Sequence, residues 1–128
     1  MGYSNAYNAY QKTNVSTASQ GRLVVLLYEG AIKQLKLALS FIEPDGKIKP
    51  SQIEKFGIAI QKTQSIITEL QVSLDMEKGG DIARNLMSLY LYFNEELVAA
   101  SIGHDRKKLE FVLNMMGQLV ESWRQISN

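Results

Sequence analysis

The chain has 128 residues, with 14 Lys+Arg against 13 Asp+Glu, one histidine and no cysteine. That length holds one domain with a core of its own, and 45% hydrophobic with 21% charged residues is a globular composition. A formal net charge of +1 argues against a nucleic-acid protein, which carries a basic excess on one face, and zero cysteines exclude disulfides and thiolate metal sites.

Residues 1–17 hold Tyr3, Tyr7 and Tyr10 but a single charge, Lys12. Spacings of four and three place the tyrosines on one side if the segment becomes helical, so 1–17 is expected to act as a cap segment on a bundle formed by 18–128. The N-terminus lacks the basic and apolar regions of a signal peptide, and Ala6 stands where a myristoylation motif needs Ser or Thr. No apolar run approaches the roughly 20 residues of a membrane span. The chain is therefore expected to be soluble, cytosolic and not inserted in a membrane.

The first helix is predicted from about Ala18 to Ile42, with Thr17 and Gln20 as a capping box. Its apolar stripe reads Leu23, Leu26, Leu27, Gly30, Ala31, Leu35, Ala38 and Ile42. Glu43–Pro50 is a loop by turn chemistry, bounded by the only two prolines, Pro44 and Pro50. The second helix, from about Gln52 to Leu74, has Ser51 and Glu54 as its capping box and a stripe of Ile53, Phe56, Ile60, Thr63, Ile67, Leu70 and Leu74. After a break at Asp75–Gly80, the third runs from about Ile82 to Ile102 with Ile82, Leu86, Leu89, Phe93, Leu97 and Ala100 inward. Gly103-His104-Asp105 ends it, glycine terminating one helix and Asp105 capping the next. The fourth, from about Arg106 to Ile126, turns Leu109, Val112, Met116, Leu119, Trp123 and Ile126 inward. Four helices of about 21 to 25 residues, roughly 31–37 Å at 1.5 Å per residue, joined by short connections give an all-α, antiparallel up-down four-helix bundle with the N-terminal tail or a short helix packing on it.

The informative excess is apolar surface outside these stripes, heaviest on the first and third helices. It reads either as a wide inner stripe or as an exposed groove for a partner helix or for the chain's own N-terminus. By periodicity, Tyr28, Ile32, Ile66, Met87, Leu91 and Val98 are the second-face residues expected to line such a groove, with Tyr7 and Tyr10 from the tail.

No chemistry competes with binding. His104 has no His or Cys companion, and the Glu-x-x-His pairs of a di-iron bundle are missing. Asp75, Glu77 and Asp81 around Lys78-Gly79-Gly80 read as caps and solvated charges, and the Gly-Gly pair lacks the Lys-Ser/Thr of a P-loop. Arg106-Lys107-Lys108 is a solvated face, and Met115-Met116 are core fillers. No catalytic residue, metal site or cofactor is expected.

Four pieces in order resemble the flagellar secretion chaperone FliS family: Asn5-Ala6-Tyr7-x-x-Tyr10 with Val15-x-Thr-Ala-Ser19; Leu23-x-x-Leu-Leu-Tyr-Glu-Gly-Ala31; Leu74-Asp-Met-Glu-Lys-Gly-Gly-Asp-Ile-Ala-Arg-Asn-Leu86 with Leu89-Tyr-x-Tyr92; and Trp123-Arg124. The resemblance implies a helical-bundle export chaperone that binds the disordered C-terminal region of flagellin, blocks premature polymerisation and delivers the subunit to the flagellar type III export gate, where FlhA recognises the loaded complex. It also implies an N-terminal segment, here with Tyr7 and Tyr10, that packs over a hydrophobic groove and moves aside for the client. Two departures stand out: Glu95-Glu96 where relatives often carry a basic pair, and His104-Asp105 where they commonly carry Asn-Asp. The rival reading from the residues is a structural bundle that self-associates through the same faces, and the expected oligomeric state is open between monomer and weak dimer.

Overall fold

The computed structural model describes residues 17–127, with side chains placed from 21 to 126. The tail tyrosines Tyr3, Tyr7 and Tyr10 and the Thr17–Gln20 side-chain cap lie outside what is described. Among the described residues the fold has four α-helices: α1 (Thr17–Ser40), α2 (Ile53–Val72), α3 (Gly80–Gly103) and α4 (Arg106–Ser127). Each packs against its two neighbours in the order α1–α2–α3–α4 and back to α1. With short connections this is the up-down bundle, in which α1 and α3 are parallel and face each other across the core.

Each connection is held by its own turn chemistry. In the α1–α2 loop the Glu43 amide donates to the Lys47 carbonyl and the Gly46 amide to the Glu43 carbonyl, both at 2.8 Å, and Gly46 takes φ +83°. The loop folds Ile42 and Ile48 inward as a small antiparallel bridge, both buried, and an Arg106 guanidinium donates to the Ile42 carbonyl to tie it to the start of α4. At the entry to α2 the expected Ser51–Glu54 capping box is not made. A single 3₁₀ turn, Pro50–Gln52, precedes the helix, the cap is Gln52 without a side-chain bond, and the Gln52 amide donates to Lys49. Pro50 fixes that tight turn, and it satisfies terminal groups that a capping hydroxyl would otherwise serve. In the α2–α3 turn the Asp75 carboxylate accepts from the amides of Glu77 (3.1 Å) and Lys78 (2.9 Å).

At the α3–α4 junction the helix runs through Gly103, and it is His104 that takes the left-handed conformation, φ 53° and ψ 40°, its amide donating to the Ala100 carbonyl. The expected glycine terminator is one residue early. Histidine tolerates the strained region better than most side chains, and its ring meets Phe56 edge-on at 5.4 Å. Asp105 does cap α4, accepting from the Lys107 amide at 3.0 Å.

The core agrees with the stripes of α2 and α4 over most of their length, and on α1 and α3 the expected Ala31, Leu35, Ala38, Leu86, Phe93, Leu97 and Ala100 are buried; the inward face differs by one position at Val24, Tyr28, Ala83 and Tyr90. Along α1 the buried positions are Val24, Tyr28, Ala31, Leu35 and Ala38, while Leu23 and Leu26 are exposed. Along α3 they are Ala83, Leu86, Tyr90, Phe93, Leu97 and Ala100, with Tyr90 replacing Leu89. The reason lies midway along the bundle. There the Tyr28 and Tyr90 hydroxyls hydrogen-bond across the α1–α3 diagonal, and the Tyr28 ring lies 6.3 Å from that of Trp123. The aromatic cluster fills the centre better than leucines would, and a buried hydroxyl needs a partner.

Candidate functional site

The polar side chains do structural work. Among the described residues no three His, Cys, Asp or Glu side chains come together as a metal set. Asp75 holds a turn, Asp81 pairs with Arg84 on the surface, and Asp105 caps a helix. Glu96 on α3 pairs with Lys108 of α4 at 3.5 Å. Arg124 reaches Glu29 on α1 at 2.8 Å and Glu121 on its own helix at 2.5 Å, and these carboxylates raise the guanidinium pKa above its usual range. Within the described residues, no helix is long and apolar enough to cross a membrane.

What remains is apolar surface, and it is divided among separate faces. The longest is a ridge on α3: Met87, Leu91, Asn94, Val98 and Ile102, spaced four, three, four and four, which puts all five on one side. Met87 faces α2, where the Gln71 amide reaches its sulfur at 3.6 Å, so the ridge borders the α2–α3 seam. Leu91 is 51% exposed, Val98 49% and Ile102 80%. Three of the sequence-predicted residues, Met87, Leu91 and Val98, share this ridge. Asn94 sits among them with its Oδ1 covered and without a hydrogen-bond partner, a position where an added donor would be favourable. Asn94 and Ile102 were missed by the sequence reading; the cue available was one polar residue between apolar ones at helical spacing.

The other predicted residues go elsewhere. Ile66 lines a cleft of about 640 Å³ between α1 and α2, beside Gly30 and Ile58. Ile32 lines a cleft of about 860 Å³ between α1 and α4, with Lys36, Leu113 and Gly117. Tyr28 is not on the surface at all: it is fully buried, held inside by the Tyr90 hydroxyl and Trp123, and so cannot touch a client of the folded bundle. A further exposed aromatic pair, Tyr92 and Phe111, meets edge-on at 5.7 Å over the α3–α4 seam. The arrangement is therefore several shallow apolar strips around the bundle rather than one deep pocket. A compact ligand would use one strip; only an extended chain could use them together.

The profile of the family described as "Flagellar protein FliS" matches residues 3–128. The flagellar secretion chaperone FliS of Salmonella typhimurium is 35% identical over 114 residues, covering 88% of this chain and 80% of that protein. The flagellar secretion chaperone FliS of Campylobacter jejuni is 31% identical over 126 residues, with 96% and 91% covered. That of Bacillus subtilis is 31% identical over 125 residues, with 98% and 88% covered.

Proposed function

We propose, from the fact that the chain belongs to the FliS family of flagellar secretion chaperones, that it holds the disordered C-terminal region of flagellin in the cytoplasm. In this reading it keeps flagellin from polymerising early and hands it to the flagellar type III export apparatus, where FlhA recognises the loaded complex. The family is one of chaperones and not of enzymes. The observation that carries the reading is the exposed ridge of Leu91, Val98 and Ile102 on α3, with further apolar strips on the other seams. A disordered segment loses ordering entropy when it binds and needs a large contact area to offset it. Strips on separate faces of a bundle about 36 Å long supply that area to a wrapped chain. Tyr7 and Tyr10 would lie over part of this surface in the empty protein and move aside for the client.

The test is calorimetric titration with a peptide covering the C-terminal region of flagellin. The expected result is a 1:1 isotherm with a clearly negative heat-capacity change. Leu91→Ser and Val98→Ser, each removing a half-exposed side chain, should weaken binding by about fivefold to tenfold apiece, since covering the exposed half contributes about 1 kcal/mol. Tyr7→Ala and Tyr10→Ala separate a competing tail, which would tighten binding on removal, from a contributing one. No heat at several temperatures, with a protein that sedimentation shows to be folded and monomeric, would refute the assignment of flagellin as client.

A further inference from the structure

We infer that the outer face of the α3–α4 seam is a self-complementary docking surface for a second copy of this chain, joined about a two-fold axis that runs along the seam. Its centre is the Tyr92–Phe111 pair, whose rings meet edge-on at 5.7 Å and stay 44% and 40% exposed. Aromatic side chains left half in solvent offer large contact area on few rotatable bonds, which suits them to anchor an interface. The pair also marks one level on two antiparallel helices. One turn on, four residues after Tyr92 and three before Phe111, Glu96 and Lys108 bridge the seam at 3.5 Å. Glu95 and Lys107 stand beside that bridge, three residues from Tyr92 and four from Phe111, so they share its level on the outer face. Both are exposed, and neither forms an ion pair among the described residues.

Charge selects the occupant. The α3 half of the face is acidic: between Arg84 and Gly103 its only charges are Glu95 and Glu96. The α4 half is basic at the same level. Arg106 is committed to the Ile42 carbonyl. Glu110 falls in line with Leu113 and Gly117, three and seven residues on, which border the cleft toward α1. Lys107 and Lys108 are therefore what this half presents. Acid on one helix and base on the other complement themselves when a two-fold axis along the seam lays α3 of each copy on α4 of the other. Glu95 of each copy then meets Lys107 of the other, twice, around a cluster of four aromatic rings. A two-fold axis across the seam would lay α3 on α3, where Glu95 finds no base. The client reading plays no part here, since the ridge of Leu91 and Val98 runs with Met87 on the α2 side of α3, and Glu96 places this face on the α4 side.

The test is sedimentation equilibrium of the full-length protein alone, up to about 1 mM. A face of this size belongs with small, weak interfaces, so the wild type is expected to dimerise with a dissociation constant on the order of 0.1 mM, weakened by salt. Glu95→Lys and Lys107→Glu, each of which turns both attractive pairs of the dimer into repulsive ones, should each weaken dimerisation about fivefold to tenfold. Mixing the two single variants at low salt restores both pairs across one heterodimer, and the double variant restores them in a homodimer, so both are expected to return to near the wild-type constant. Phe111→Ser should weaken dimerisation about tenfold, with helicity by circular dichroism as the check on folding; the charge swap uses exposed residues only and stands without that variant. A wild type that is monomeric at 1 mM, a dimer indifferent to both reversals, or singles that do not recover on mixing would overturn the inference. A dimer that Leu91→Ser or Val98→Ser dissolves and the reversals leave intact would overturn it as well, by giving the second copy the other side of α3.

Discussion

Replacing Tyr28 or Tyr90 by phenylalanine deletes one hydroxyl at the centre of the bundle and leaves the ring. Both side chains are fully buried and their hydroxyls are bonded to each other across the α1–α3 diagonal. A neutral hydrogen bond contributes about 0.5–1.5 kcal/mol net, and it is worth more inside a low-dielectric core than at the surface. Each single variant should therefore lose about 1 kcal/mol, or about 4 °C in Tm for a chain of this size. The double variant should lose less than the two singles together, by about 0.5–1 kcal/mol, because the bond between the two hydroxyls is lost only once. Trp123 is the only tryptophan, fully buried and 6.3 Å from the Tyr28 ring, so its emission reports the loss of this cluster. Urea titration of wild type, both singles and the double gives the cycle, with equal slopes as the check that unfolding stays two-state. Additive singles, within about 0.3 kcal/mol, would refute the view that the pair acts as one unit and orients the inward faces of α1 and α3.

Three further outcomes follow from the same geometry. Gly57 and Gly117 lie in helices with open space where a Cβ would go, so Gly57→Ala and Gly117→Ala should each raise stability by about 0.5–1 kcal/mol; Gly30→Ala, with a new methyl 3.3 Å from Ile66, should gain less, and equal gains at all three in urea titrations would mean the α1–α2 approach is not tight there. His104→Gly should stabilise by about 0.5–1 kcal/mol through relief of the left-handed backbone, and a loss in urea midpoint would show that the edge contact with Phe56 outweighs that strain. Asp75→Ala should cost about 0.5–2 kcal/mol by releasing two turn amides, with Asp75→Asn retaining most of the stability in thermal melts; equal losses would mean that the acceptor oxygen is not what holds the turn.

Helix positions, breaks and the class of fold were legible in the chain because they depend on local rules. Apolar residues at three and four mark a helix wherever they occur, and Pro44, Pro50, Asp75 and Gly79-Gly80 interrupt that period by backbone chemistry alone. The direction each helix faces is a different matter. On α1 the lines through Leu23 and Leu27 and through Val24 and Tyr28 have the same spacing, and both are apolar. Nothing within the helix distinguishes them. The choice falls to residues far away in sequence: Tyr90 and Trp123, which receive Tyr28, and Ile66, which closes on Gly30. The same packing scattered the predicted binding residues, sending Tyr28 inward, Ile32 and Ile66 to different seams, and only Met87, Leu91 and Val98 to one ridge. The sequence by itself determined that the chain would form four amphipathic helices with apolar surface to spare. Only the tertiary structure decided which apolar residues are spare, because burial belongs to pairs of surfaces and the second surface of each pair lies tens of residues away.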